Sequence, residues 1–180
     1  MVFYQRNLPH WVPEGKHFFV TWRLHGSLPL AVLEKLRKDK ETAGKRFVRF
    51  DGELDRAAFG PQWLRNEKIA TIVQREILGI ARKEWCVVHS YVVMPNHVHL
   101  LLEPKLELRI IMQAIKGRSA RACNSALGRQ GLPFWQQESF DHWVRNAVSF
   151  AKIQAYIECN PVSAGLVKKP QEWPWSSARK

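Results

Sequence analysis

An α+β fold, with a mainly antiparallel sheet covered by helices, is what this sequence predicts, and three observations carry the prediction. Runs rich in β-branched and aromatic residues are interspersed with stretches whose apolar residues recur every three or four positions. Two of the apolar runs, 85–95 and 97–104, meet at Pro95 and Asn96, a connection so short that the strands must be antiparallel neighbours. The 180 residues are 46% hydrophobic, with eight Trp and nine Phe, enough for one packed unit, and no repeat, low-complexity tract or linker divides them. The expectation is one domain over 1–180, with 162–180 as a coil-rich C-terminal tail.

After a loop-like start containing Pro9 and Pro13, the run HFFVTWRL (17–24) between Gly15 and Gly26 reads as the first strand. Residues 28–45 place Leu30, Leu33 and Leu36 at helical intervals behind Pro29, and 46–61, broken by glycine, reads as a connection that lies over a basic face. From Pro61 to Glu84, Leu64, Ile69, Ile72, Val73, Ile77 and Ile80 share one side of a long amphipathic helix. The two strands at 85–104 follow, with Pro95 confined to their turn because it cannot donate to a ladder. A further helix over 106–129 points Ile110, Ile111, Ala114 and Ile115 inward and leaves Arg109, Lys116, Arg118 and Arg121 available to solvent. The aromatic stretch 134–144 is a strand or extended segment, and 146–161 is a short helix that Pro161 helps to end.

Against 28 Lys and Arg stand 16 Asp and Glu, a formal charge of +12 that favours a polyanionic partner, nucleic acid ahead of an anionic membrane surface. Cys86, Cys123 and Cys159 are far apart and form no CxxC, so neither a disulfide framework nor a zinc knuckle is indicated. A start carrying charges and prolines lacks a signal peptide's apolar core, and no stretch is long and apolar enough to span a bilayer. The expected location is a reducing cytoplasm.

The residues that carry chemistry begin with His97 and His99. On a strand they share a face while Val98 points the other way, and two neutral imidazoles on a rigid strand are a partly formed divalent-metal site needing one more protein ligand. By itself an HxH pair reads equally as two histidines on an ordinary edge strand. Tyr156 and Asn160, four apart on the last helix, share a face as well. A phenol can attack a phosphodiester where a metal polarises the phosphate, and an amide oxygen can join the metal's ligands. The same two residues also fit a core tyrosine with its hydroxyl at the rim and a cap before Pro161. Trp135, Trp143, Trp173 and Trp175 can stack on bases or pack in the core.

Four segments in this order, VVMPNHVHLLLEP, IMQAIKG, FWQQESFDHWVRN and YIECNPVSAGLVKKPQEWPWSSA, together with RNLPHWVPEGKHFFVTWRLHGSLP at the start, resemble the REP-associated tyrosine transposases, a branch of the single-tyrosine HUH transposases. The resemblance covers nearly the whole chain and implies the HUH endonuclease fold, a ferredoxin-like palm. It implies that His97 and His99 bind Mg²⁺ or Mn²⁺, with Asn160 as third ligand. It further implies that Tyr156 cuts single-stranded or hairpin DNA through a 5′-phosphotyrosine link that a second strand's 3′-hydroxyl can reverse. Arg109, Lys116, Arg118, Arg121 and Arg129 are the expected phosphate contacts, and His142 and Arg145 the expected neighbours of the site. The set of one tyrosine and two histidines can act within a monomer or a homodimer. The competing reading is a domesticated descendant that grips hairpin DNA or RNA without cutting it. A two-histidine phosphodiesterase would need a second such motif, HxS or HxT, on another strand, and none lies within the strands read above, while a structural zinc site would need cysteines beside the histidines.

Overall fold

The computed structural model describes residues 15–38 and 42–179, so the loop expected around Pro9 and Pro13 lies outside the described residues. Four strands, β1 (His17–Arg23), β2 (Cys86–Val93), β3 (His97–Pro104) and β4 (Phe140–Val144), form one antiparallel sheet in the order β2-β3-β1-β4. The α+β expectation holds. Among the described residues five α-helices accompany the sheet: α1 (Leu30–Lys38), α2 (Ala43–Asp55), α3 (Glu67–Arg82), α4 (Leu108–Ala126) and α5 (Ala147–Ser163).

Alternation along the strands splits the molecule into two layers. Phe18, Val20 and Trp22 of β1 and Val98, Leu100 and Leu102 of β3 point to one face, where α3 contributes Ile69, Val73, Ile77 and Ile80 and α4 contributes Ile111, Met112 and Ile115. Each fully buried aliphatic side chain there contributes about 1.5–3 kcal/mol of hydrophobic stabilisation. The other face carries Phe19 and Leu101, covered by Ile157, Ile153 and Tyr156 of α5 and by Phe47 of α2. Because His97 and His99 are four and two residues from Leu101, they belong to this second face, and Val98 packs on the first as the spacing requires.

Several boundaries differ from the sequence reading. The segment 46–61 is not a connection: helix formation over Ala43–Asp55 tolerates Gly52 because Phe47, Asp51 and Leu54 fall on one side, and Asp51 and Leu54 are buried there. The preceding helix correspondingly stops at Lys38, with Leu30 left exposed. The helix expected from Pro61 begins only at Glu67, since Asn66 caps it by accepting from the Lys68 backbone N–H, and Trp63–Arg65 makes a separate 3₁₀ turn. Of 134–144 only Phe140–Val144 pairs as a strand. Ile110 is exposed rather than inward, because α4 turns Leu108, Ile111 and Ile115 to the core. Pro161 does not end α5, which runs on to Ser163 before Gly165, at φ +69°, turns the chain. A proline one turn from a helix end costs little when the hydrogen bonds beyond it are kept, and here Ala164 N–H reaches Asn160 O and Leu166 N–H reaches Pro161 O. Among the described residues after Ser163 there is a 3₁₀ turn (Pro170–Glu172) and an isolated bridge from Ser176 to Val92, and the stretch is packed down: Trp173 is buried and its indole N–H donates to Val93 O.

Gly60 fixes how α2 returns to the sheet. It has φ +69°, and a Cβ there would overlap the Gly26 carbonyl oxygen and lie 2.8 Å from Ser27 Cα. Gly128, at φ +65°, has open space in the same position. Gly60→Ala is therefore expected to lower the thermal midpoint clearly more than Gly128→Ala, both measured by calorimetry. Equal losses would mean that the close approach carries no weight beyond the positive φ shared by the two sites.

Candidate metal centre and its tyrosine

Strand β3 delivers the two imidazoles in fixed orientations because each has its Nδ1 engaged. His97 Nδ1 lies 2.7 Å from Asn96 Oδ1, and His99 Nδ1 lies 2.7 Å from Thr21 Oγ1 across the β1–β3 ladder. The Asn96 amide orientation is set in turn by its Nδ2, which donates to Leu54 O at 3.0 Å on α2. With Oδ1 accepting from His97 Nδ1–H, the lone pair of His97 is on Nε2, the atom that points inward. The two Nε2 atoms are 3.1 Å apart, and both side chains are completely buried.

Helix α2 brings the carboxylate that the sequence reading missed. Asp51, 1% exposed, places Oδ2 3.3 Å from His99 Nε2 and Oδ1 3.7 Å from His97 Nε2. Asp55, one turn on, has Oδ1 3.6 Å from His97 Nε2. The ligand atoms of Asp51, His97 and His99 all lie within 4.8 Å of one another. Helix α5 closes the group. The Tyr156 hydroxyl donates to Asp51 Oδ2 in a short hydrogen bond, and Asn160 Nδ2 is 3.5 Å from the same oxygen and 3.4 Å from His99 Nε2.

Three oxygens in this cluster, Asp51 Oδ1, Asp55 Oδ1 and Asn160 Oδ1, are buried without a hydrogen-bond partner among the described residues. Orphaned acceptors beside two converging imidazole nitrogens are what a cation would satisfy, so the residues fit a divalent metal. Their protonation behaviour is consistent with this. Burial pushes the Asp51 carboxyl up, but the charge and hydrogen bond of His99, the charge of His97 and the Tyr156 hydroxyl outweigh it and hold the group at about 2. Burial and then the neighbouring His99 depress His97 to about 3, leaving it neutral and able to ligate. Asp55 is raised to about 7 by burial and by the charge of Asp51. The Tyr156 phenol is raised well above its ordinary value by burial, by the Asp51 charge and by the hydrogen bond to it.

The family profile described as "Transposase IS200 like" matches residues 61–160, more than half of the sequence and the part that holds both histidines, Tyr156 and Asn160. The chain belongs to the IS200-like transposase family. It is 28% identical over 109 residues to the REP-associated tyrosine transposase of Escherichia coli (strain K12), a match that spans 59% of this chain and 62% of that protein. Its fold is that of the solved REP-associated tyrosine transposase bound to a REP hairpin, with a TM-score of 0.63 and 20% identity over 99% of this chain and 84% of the other. The expected family resemblance is thereby established.

In this IS200-like transposase, Asp51 and Asp55 lie upstream of the matched segment. Their signal was present in the sequence as two carboxylates four apart, behind an apolar Phe47 and flanking Leu54, and was hidden by reading Gly52 as a helix breaker. Arg23, the cross-strand partner of His97, was also missed: it is buried, bonds Ser27 Oγ at 3.1 Å and borders the histidines. The basic residues read from sequence divide. Arg109, Lys116, Arg118 and Arg121 all sit on α4, in the layer across the sheet from Tyr156. Arg109 and Arg121 are exposed, as is Arg118, which lies over the Trp85 ring. Lys116 is not free for solvent, because its ammonium donates to Gln136 O, Gln137 O and Ser139 Oγ. Arg129 lies over the Trp63 ring at 4.2 Å. His142 is exposed on the tyrosine's side of β4, opposite Phe19, and Arg145 is exposed just beyond the strand. Trp135 and Trp173 are core residues and Trp175 is packed against the core, whereas Trp143 is 44% exposed between Lys16 and Arg145. Among the described residues no helix is long and apolar enough to cross a membrane.

The raised Asp55 carboxyl makes a testable statement about the metal-free chain. On folding it takes up a proton between its ordinary carboxylate value and about 7, so its contribution to stability falls as pH rises through that window and stays lost above it. Asp55→Asn should therefore raise the thermal midpoint of chelator-treated protein at pH 8 and leave it nearly unchanged at pH 4.5. A midpoint lowered at pH 8 would remove the assigned charge strain.

Proposed function

We propose that this protein is a metal-dependent single-strand DNA endonuclease and strand transferase of the HUH type, acting on hairpin or repeat DNA through a 5′-phosphotyrosine intermediate. The observation that carries the reading is the Tyr156 hydroxyl on the same carboxylate that faces both histidine nitrogens, which joins nucleophile and metal donors in one buried group. His97, His99 and Asp51 would hold the ion, and Asn160, whose Nδ2 faces the cluster here, would complete the set through its amide oxygen once the amide is turned over. Two imidazoles among the donors favour Mn²⁺ over Mg²⁺, which prefers an all-oxygen octahedron. When bound, the ion supplies Lewis-acid polarisation of a non-bridging phosphate oxygen.

The chain's own residues do the rest. Tyr156 oxygen attacks phosphorus as its proton passes to solvent water, while the Asp51 carboxylate, too weakly basic at about 2 to keep that proton, aims the phenol through their hydrogen bond. The bond from phosphorus to the 3′-oxygen breaks, that oxygen takes a proton from water, and the DNA 5′-phosphate stays on the tyrosine. Attack by another strand's 3′-hydroxyl returns the phosphodiester and the free phenol without nucleotide hydrolysis. Arg23 borders the place a phosphate would enter, where its guanidinium can pair with phosphate oxygens. The REP hairpin in the related solved complex supports a hairpin substrate, and the charge of +12 supports phosphate contact along a stem. Exposed Arg109, Arg118 and Arg121 are proposed to meet phosphates on the α4 side, away from the cut, while His142, on the tyrosine's face of β4, is the nearer candidate and Arg145 and Trp143 would meet the backbone at the sheet edge.

Labelled hairpin oligonucleotides, incubated with Mn²⁺ or Mg²⁺ and resolved on denaturing gels, should give a protein-linked band. Tyr156→Phe should abolish it and leave hairpin affinity within about threefold, a change of under about 0.7 kcal/mol. His97→Ala and Asp51→Asn should each lower metal-dependent cleavage by at least about a hundredfold, about 2.7 kcal/mol in the barrier. Tight hairpin binding with no band from the wild-type chain would instead favour the non-cleaving binder, and cleavage that persists in chelator would sink the metal assignment.

A further inference from the structure

A second group of metal-ligating side chains lies on the same sheet face, outside the tyrosine site. His17 of β1, His89 of β2 and Glu103 of β3 bring one ligand atom each to within 4.8 Å of the others. Both imidazole Nε2 atoms lie 3.9 Å from one oxygen, Glu103 Oε2. The carboxylate is four residues along β3 from His99, about 13 Å away at the usual rise per residue and on the same side of the strand.

The arrangement depends on a local irregularity. Val88 pairs with Leu102 and Ser90 with Leu101, so His89 is the extra residue of a β-bulge. The bulge lets consecutive residues address one face, and it aims His89 at Glu103 while Ser90 stays buried beside it. His89 Nε2 is buried with no hydrogen-bond partner among the described residues, although it points at the shared carboxylate. Phe150 of α5 packs edge-on against both imidazoles, with ring centroids 4.9 and 5.0 Å away, and fixes their planes. His17 and Phe150 also line an open cleft of about 420 Å³, which gives an ion a route in from solvent.

We propose that His17, His89 and Glu103 form a second divalent-metal site, one that takes a zinc-class transition-metal ion. Two imidazoles and one carboxylate are a three-ligand set that leaves a position for water, and imidazole selects the later first-row ions over Mg²⁺. Metal to ligand distances of about 2.0–2.2 Å require the three side chains to close by roughly 0.5 Å each, within the reach of small χ adjustments. Phe150 lies six residues before Tyr156 on the same helix, so an ion here stiffens the seat of the helix that carries the tyrosine. This site is independent of the cleavage reading, because its ligands include none of the residues assigned there.

Zinc uptake separates the two sites. Chelator-stripped full-length chain is equilibrated with excess Zn²⁺, desalted and assayed for bound metal by atomic emission, with circular dichroism to verify folding. The wild type should hold about two equivalents and His97→Ala/His99→Ala about one, and adding His17→Asn and Glu103→Gln should bring the latter close to zero. His17→Asn/Glu103→Gln alone should keep about one equivalent and retain tyrosine-dependent cleavage if that activity is present. A folded His97→Ala/His99→Ala chain that binds no zinc would overturn the proposal, as would uptake unchanged by His17→Asn/Glu103→Gln. Should His97→Ala/His99→Ala fail to fold, Co²⁺ titration of the wild type and of Glu103→Gln decides by absorption: loss of one of two steps supports the site, and identical titrations reject it.

Discussion

Two imidazole nitrogens facing each other at 3.1 Å inside a dry protein interior are the constraint around which the rest of this structure is arranged. Each ring is held from behind, His97 by Asn96 and His99 by Thr21, and this keeps both Nε2 atoms turned into the cluster. Asn96 is itself oriented by the backbone of α2, and α2 supplies Asp51 to the front of the same pair. A divalent ion would give the two nitrogens and the three orphaned oxygens a common partner. The same carboxylate accepts from the Tyr156 hydroxyl, so a bound ion and the position of the phenol would be coupled through Asp51.

The sheet keeps this polar group from weakening the fold. Its first face is a continuous apolar layer of β1, β3, α3 and α4 side chains, which supplies cohesion without a polar demand. The second face carries Phe19, Leu101 and Ile157 close to the histidines, with aromatic rings of Phe47 and Tyr156 around His99. Burial there excludes water and raises the strength of each charge interaction, which is why Asp51 is driven down while Asp55 and Tyr156 are driven up within a few ångströms. The division also sets the geometry of contact with a large polyanion. Cations on α4 are separated from the tyrosine by the thickness of the sheet and a helix, whereas β4 presents His142 on the tyrosine's face, and Trp143 with Arg145 stands at the sheet edge.

The strands at 85–104 and the first strand were legible because alternation and β-branched content act locally, and the face shared by His97 and His99 follows from strand geometry alone. Tyr156 and Asn160 were legible together by helical spacing, and the family resemblance tied them to the histidines. Helix α2 was not legible: Gly52 weakens the local helical preference, and the apolar residues that stabilise it, Phe47 and Leu54, gain their energy only by docking on a sheet face assembled from distant strands. Pro161 misled in the opposite direction, since a local breaking tendency was overridden by the hydrogen bonds that carry α5 one further turn.

The sequence by itself determined the sheet-forming segments, the pairing of the two histidines, the helical register of Tyr156 with Asn160 and the excess of positive charge, because each is a property of residues near one another in the chain or of composition. Only the tertiary structure decided which carboxylate meets those histidines, that α4 and its arginines lie across the sheet, and that His17, His89 and Glu103 converge. Those outcomes rest on strand order, cross-strand register and a one-residue bulge, long-range contacts whose energies no local pattern encodes.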